Sequence, residues 1–102
     1  MTARRLFAAL ACAAACAGAG AADRTIVIDG TAFSPVRLTV QRGDRVTWVN
    51  RDPFPHTATA KGTFDSGPIA AGASWSWVAD KAGAYEYVCT LHPTMKAQLV
   101  VR

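Results

Sequence analysis

The chain reads as an all-β protein, a Greek-key β-sandwich of seven or eight strands. Three observations predict it. Short runs rich in Val, Ile, Thr and aromatic residues recur between residues 25 and 101, most of them bounded by Gly, Pro, Asp or Asn. Within several runs apolar and polar residues alternate with a period of two, the signature of a half-buried strand. After residue 22 no window sustains a helical period. Short strands at this spacing suit two packed sheets.

Taken in order, residues 1–22 stand apart from that pattern. Arg4 and Arg5 precede an alanine-rich apolar run from Leu6 to about Ala17, and small residues fill Ala19-Gly20-Ala21-Ala22. A positive start, a short apolar stretch and a small-residue end describe a secretory signal peptide, too short and too weakly apolar to span a bilayer. Cleavage between about Gly20 and Asp23 would leave one domain, residues 23–102, in the periplasm. Cys12 and Cys16 lie inside the leader. A lipid-anchored form cleaved before one of them is the minor alternative, although neither has Leu three positions upstream.

Thr25–Ile28 opens the domain as a strand stopped by Asp29-Gly30. Val36–Val40 and Arg45–Asn50 form two more, joined at Gln41-Arg42-Gly43-Asp44, where Gly supplies the turn. His56–Ala60 and Phe64-Asp65 are short and polar, interrupted by Gly62 and Gly67-Pro68. Ser74–Val78 puts Trp75 and Trp77 on one face and Ser74 and Ser76 on the other. Ala84–Cys89 and Ala97–Val101 complete the set. The aromatic residues Trp48, Trp75, Trp77, Tyr85 and Tyr87 are expected to fill the core.

Removing the leader changes the charge and the cysteines. The net charge of +4 falls to +2 with the loss of Arg4 and Arg5, and the remaining basic residues are scattered. That leaves neither a basic tract for nucleic acid nor an amphipathic membrane helix, and the mature chain has no integral membrane segment. Of three cysteines only Cys89 remains. A lone thiol in an oxidising compartment invites oxidation unless something occupies it. A metal would do so.

Cys89 begins Cys-Thr-Leu-His-Pro-Thr-Met, in which Cys89, His92 and Met95 recur at intervals of three; the only other histidine, His56, lies 33 residues before Cys89. A thiolate and two imidazoles in a trigonal set, with a weak axial thioether, is the donor set of blue copper. Oxygen-seeking magnesium and calcium are disfavoured, and structural zinc rarely takes a thioether. The cofactor predicted is one type 1 copper ion held by His56, Cys89, His92 and Met95.

The C-x-x-H-x-x-M stretch, with Lys81-Ala-Gly-Ala-Tyr85-Glu-Tyr87-Val-Cys89 and Asn50-Arg-Asp-Pro-Phe-Pro55-His56, resembles the cupredoxins and, by its short loop, the amicyanin and plastocyanin-like group. The resemblance runs from about Asp23 to Arg102. It implies a cupredoxin-like sandwich that carries single electrons between redox proteins. The partners implied are a dehydrogenase or a c-type cytochrome, docking at an apolar end around His92. Thr57 follows His56 where those families carry Asn, so the bonding between the ligand loops must differ. Thr57, Thr90, Pro55 and Pro93 are the neighbours expected to support the ligands. Pro also stiffens the backbone around them.

With both histidines engaged, no general base of the usual kind remains, and the chain is not expected to be an enzyme. A periplasmic copper carrier with the same ligands is the alternative reading. A Cys-His hydrolase built on Cys89 fits poorly, because so small a domain has little room for a cleft. A monomer is expected.

Overall fold

The computed structural model describes residues 20–102. The expected leader, with Cys12 and Cys16, therefore lies outside the described residues except for its last three positions. The described residues form nine strands: β1 (Asp23–Ile28), β2 (Phe33–Ser34), β3 (Arg37–Val40), β4 (Arg45–Asn50), β5 (Thr59–Ala60), β6 (Phe64–Asp65), β7 (Ser74–Val78), β8 (Gly83–Cys89) and β9 (His92–Val101). They make two sheets, ordered β2-β1-β4-β7 and β3-β9-β8-β5-β6. β1 runs parallel to β4 and β3 parallel to β9; the other pairs are antiparallel. This is the expected sandwich.

Alternation builds the core. Ile26, Ile28, Val46 and Trp48 turn inward from the first sheet, and Val40, Tyr87, Ala97, Leu99 and Val101 from the second. Phe33 meets Tyr87 edge-on at 4.7 Å between ring centroids, and Trp48 meets Tyr87 at 5.5 Å, closing the gap between the layers. Trp75 and Trp77 lie half-buried against Trp48 and Phe64, as the alternation in β7 predicts. Full burial of a side chain such as Ile26 or Leu99 stabilises the fold by roughly 1.5–3 kcal/mol.

The strands differ from expectation in three places. β2 is a two-residue pairing that no alternation could announce. The strand expected over His56–Ala60 contracts to Thr59–Ala60, because His56 pairs instead with Ile69 in an isolated bridge. Its N–H donates to Ile69 O at 3.2 Å and its carbonyl accepts from Ile69 N at 2.7 Å. The last strand begins at His92 rather than Ala97, so the stretch expected to bind metal is itself part of a hairpin.

The two ends of the sandwich are chemically distinct. At one, β4 ends at Asn50, β8 ends at Cys89 and β9 starts at His92. At the other, Gly83 pairs with Val101 and Arg42 N donates to Arg102 O.

Candidate metal centre

Cys89 is the last residue of β8. The alternation that buries Tyr87 carries the Cys89 side chain inward as well, and it is fully buried. His92 sits directly opposite Cys89 across the turn Thr90-Leu91. Val88 pairs with Lys96, so Pro93, Thr94 and Met95 have no partner on β8. That bulge returns the chain to register with Met95 buried in the core.

His56 is delivered by the loop after β4, and that loop is fastened by its own side chains. Asn50 occupies the next inward position after Val46 and Trp48 and is fully buried. Its Nδ2 donates to Phe54 O and to Ile69 O, each at 2.9 Å, and its Oδ1 accepts from Asp52 N at 2.9 Å. Asp52 then faces the histidine: its Oδ2 lies 2.7 Å from His56 Nε2. The Asp52 carboxylate also accepts from Gly30 N at 2.7 Å and Thr31 N at 2.8 Å. Burial opposes ionisation of Asp52, but these amides and the imidazole outweigh it and hold the carboxyl below its ordinary value.

A carboxylate accepting at Nε2 places the imidazole proton there and leaves the Nδ1 lone pair free. His56 Nδ1 lies 3.5 Å from Cys89 Sγ, and His92 Nδ1 lies 3.8 Å from it. One donor atom from each of the three residues falls within 4.8 Å of the others. Two imidazole nitrogens and a thiol sulfur so gathered fit a single copper ion, by donor type as well as by spacing.

Thr57 departs from the resemblance but ties the two loops all the same. It is buried, and its N–H donates to Cys89 Sγ at 3.3 Å. Its hydroxyl accepts from Thr90 N at 2.9 Å and lies 3.1 Å from the Thr90 hydroxyl. The expected neighbours Thr57 and Thr90 thus meet. Pro55 and Pro93 flank the histidines in sequence and are exposed. Phe54 covers the pair of imidazoles, 5.2 Å from His56 and 5.6 Å from His92 between centroids. Phe54 and Leu91 are 39% and 49% exposed, and His92 is half-buried, so this end of the sandwich presents an apolar surface.

Sequence reasoning missed Asn50 and Asp52. A signal for Asn50 was available: alternation places it inward after Val46 and Trp48, and a buried amide must be bonded. Asp52 carries no such mark, because its turn toward His56 depends on the loop.

The chain belongs to the cupredoxin-like family, whose family model matches residues 3–101, and its function is that of a blue copper electron-transfer protein with one copper ion. It is similar to amicyanin of Paracoccus denitrificans, 34% identical over 97 residues that span 83% of this chain and 71% of amicyanin. It is also similar to plastocyanin of Scenedesmus fuscus, 33% identical over 59% of this chain and 74% of plastocyanin. A solved structure of a proline-to-glycine amicyanin variant, in its reduced Cu(I) form, superposes with a TM-score of 0.73 at 28% identity, covering 78% of this chain and 82% of that one. A copper-containing nitrite reductase from Thermus scotoductus matches with a TM-score of 0.74 at 26% identity, but the match covers only 22% of that enzyme. Among the described residues no helix is long and apolar enough to cross a membrane.

Proposed function

We propose that the mature protein is a periplasmic one-electron shuttle whose copper would be held by His56, Cys89 and His92, with Met95 as a weaker fourth donor. The observation that carries this reading is the convergence of the three N and S donors within 4.8 Å at an apolar end of the sandwich. The bound ion supplies a Cu(II)/Cu(I) couple.

The protein's own contribution is positional. Asp52 fixes the His56 tautomer and ring. Thr57 and Thr90 hold the two ligand-bearing loops at one spacing, which favours the same geometry in both oxidation states. The N–H of Thr57 donates to Cys89 Sγ and so tempers the donor strength of the sulfur. Burial of His56, Cys89 and Met95 keeps water from the ligands. His92 is the partly exposed one, and electrons pass through its edge.

The partners are redox proteins, a dehydrogenase or a c-type cytochrome, docking on the surface formed by Phe54, Leu91, Pro55 and Pro93. No substrate is converted: both histidines of the chain serve as ligands, and the likeness to nitrite reductase spans only a fraction of that enzyme. The chain is exported by an N-terminal leader that is cut between about Gly20 and Asp23, and it works as a monomer.

Copper loading tests the reading. The Cu(II) protein is expected to be intensely blue through thiolate-to-copper charge transfer, and Cys89→Ser to be colourless. Met95→Leu is expected to keep the colour and raise the reduction potential, since loss of an axial donor favours Cu(I). A folded, colourless Cu(II) wild type refutes electron transfer. Rapid copper exchange without redox exchange would instead indicate a copper carrier.

A further inference from the structure

We propose that the exported protein begins at Ala22, and that the new α-ammonium group forms an ion pair with the buried carboxylate of Asp44 at the end of the sandwich opposite the metal centre. The sequence around Ala19-Gly20-Ala21-Ala22 admits several cuts with small residues at the first and third positions before the scissile bond. The fold distinguishes among them. Ala22 is bonded on both sides of its backbone: its N–H donates to Asp44 Oδ1 at 2.8 Å, and its carbonyl accepts from Arg45 N at 2.9 Å. Gly20, Ala21 and Ala22 are all exposed, so it is these two bonds, not burial, that single out Ala22. A cut after Ala22 would discard both bonds, and a cut after Ala19 would leave a neutral amide against the carboxylate.

A cut after Ala21 keeps both bonds and strengthens one. Water, delivered by a leader peptidase, breaks the Ala21–Ala22 amide; Ala21 departs with the new carboxylate and the Ala22 nitrogen becomes –NH3+. The donor already 2.8 Å from Asp44 Oδ1 then carries a positive charge, which makes the hydrogen bond charge-assisted. Asp44 is 2% exposed, and its Oδ2 accepts from Gln41 N at 2.9 Å. The other charges facing the group are Arg24, 3.9 Å from Asp44 Oδ2 and partly exposed, and the exposed Arg45–Asp23 pair at 3.7 Å. Arg24 is too distant and too well solvated to neutralise Asp44 alone. The α-ammonium completes the site. The amides of Ala22 and Gln41, more than Arg24, already hold the Asp44 carboxyl below its ordinary value, so it is charged throughout the neutral range.

Three measurements test this. Intact mass of the exported protein should equal residues 22–102; a chain beginning at Gly20 or Asp23 overturns the proposal. NMR titration of the Ala22 α-amine should give a pKa above the ordinary range of about 7.7–8.0, returning to it in Asp44→Asn; an ordinary value in the wild type overturns the ion pair. Asp44→Asn also removes acceptors, so a second chain keeps Asp44 and places one extra glycine ahead of Ala22. That chain retains the hydrogen bond from the Ala22 amide and moves the charge one residue away from Asp44. A raised folded pKa gives stability that is full below the unfolded value and lost as pH rises through the folded one. The extended chain should therefore melt lower than the wild type at pH 6, with the gap closing above about pH 9. Equal melting at both pH values overturns the ion pair.

Discussion

His56 is approached at both ring nitrogens, by Asp52 four residues before it and by Cys89 at the end of β8, 33 residues on. Asp52 Oδ2 is close to Nε2, while Nδ1 points to Cys89 Sγ. An anionic acceptor on a ligand imidazole makes the nitrogen opposite a better donor and favours the more positive metal state. Asp52→Asn keeps an acceptor oxygen and removes the charge, so the reduction potential should rise, by up to about 59 mV for a tenfold change in relative preference. Voltammetry of the copper-loaded variant measures it; an unchanged potential would show that Asp52 acts on position alone. Thr57 makes the second residue-scale case. Thr57→Val keeps the shape but leaves the Thr90 N–H without its acceptor, and should cost about 1–3 kcal/mol in chemical denaturation. Thr57→Ser should recover most of that loss. The sequence marked position 57 as a departure, yet only the fold reveals that one hydroxyl can span two loops.

At the scale of elements, the β8–β9 hairpin does most to define the centre. Cys89 and His92 face each other because only Thr90 and Leu91 separate them. Inserting one glycine between Thr90 and Leu91 should abolish the blue charge-transfer band while far-ultraviolet circular dichroism stays sheet-like; retained colour would show that the turn tolerates slack. β4, β7 and β8 were legible because apolar and polar residues alternate within them, and β1 because Ile26-Val27-Ile28 is a β-branched run closed by Asp29-Gly30. β2 is a two-residue pairing that no local pattern carries, whereas β6 was legible at its own bounds between Gly62 and Gly67, and β5 lay inside a longer run that the His56–Ile69 bridge cuts short. The early start of β9 was hidden by Pro93, whose missing N–H reads as a strand break, and by the bulge that leaves Met95 unpaired. The four proposed ligands were read from type and spacing; Asn50 was marked only by the alternation that turns it inward, and Asp52 not at all, since its role exists only once the loop has closed.

For the whole molecule, pH sets limits on both sides. Asp44 is held below its ordinary value first by the amides of Ala22 and Gln41, so its contribution is present above the unfolded value of 3.8 and lost as pH falls through the folded one. Acid unfolding should therefore set in below about pH 4. On the alkaline side Tyr87 is decisive. Burial pushes its phenol from 10.0 up to about 12, against a smaller lowering by the Trp48 side chain beside it. The unfolded chain ionises first, so stability should fall between pH 10 and pH 12, by on the order of 2–3 kcal/mol. Tyr87→Phe should remove that decline, leaving stability at pH 11 close to its value at pH 8. Denaturant titrations at pH 8 and pH 11 test both statements.

The parallel pairing of β3 with β9 has a bearing on time. Arg37 must find Gln98 near the far end of the chain, just as Asp23 must find Arg45, before either sheet is complete. Folds dominated by such distant partners assemble in milliseconds to seconds rather than microseconds. Throughout that search Cys89 is open to oxidants, and afterwards it is fully buried. The speed with which the last strand reaches the third thus determines how much of the chain arrives with a thiol still able to take up metal.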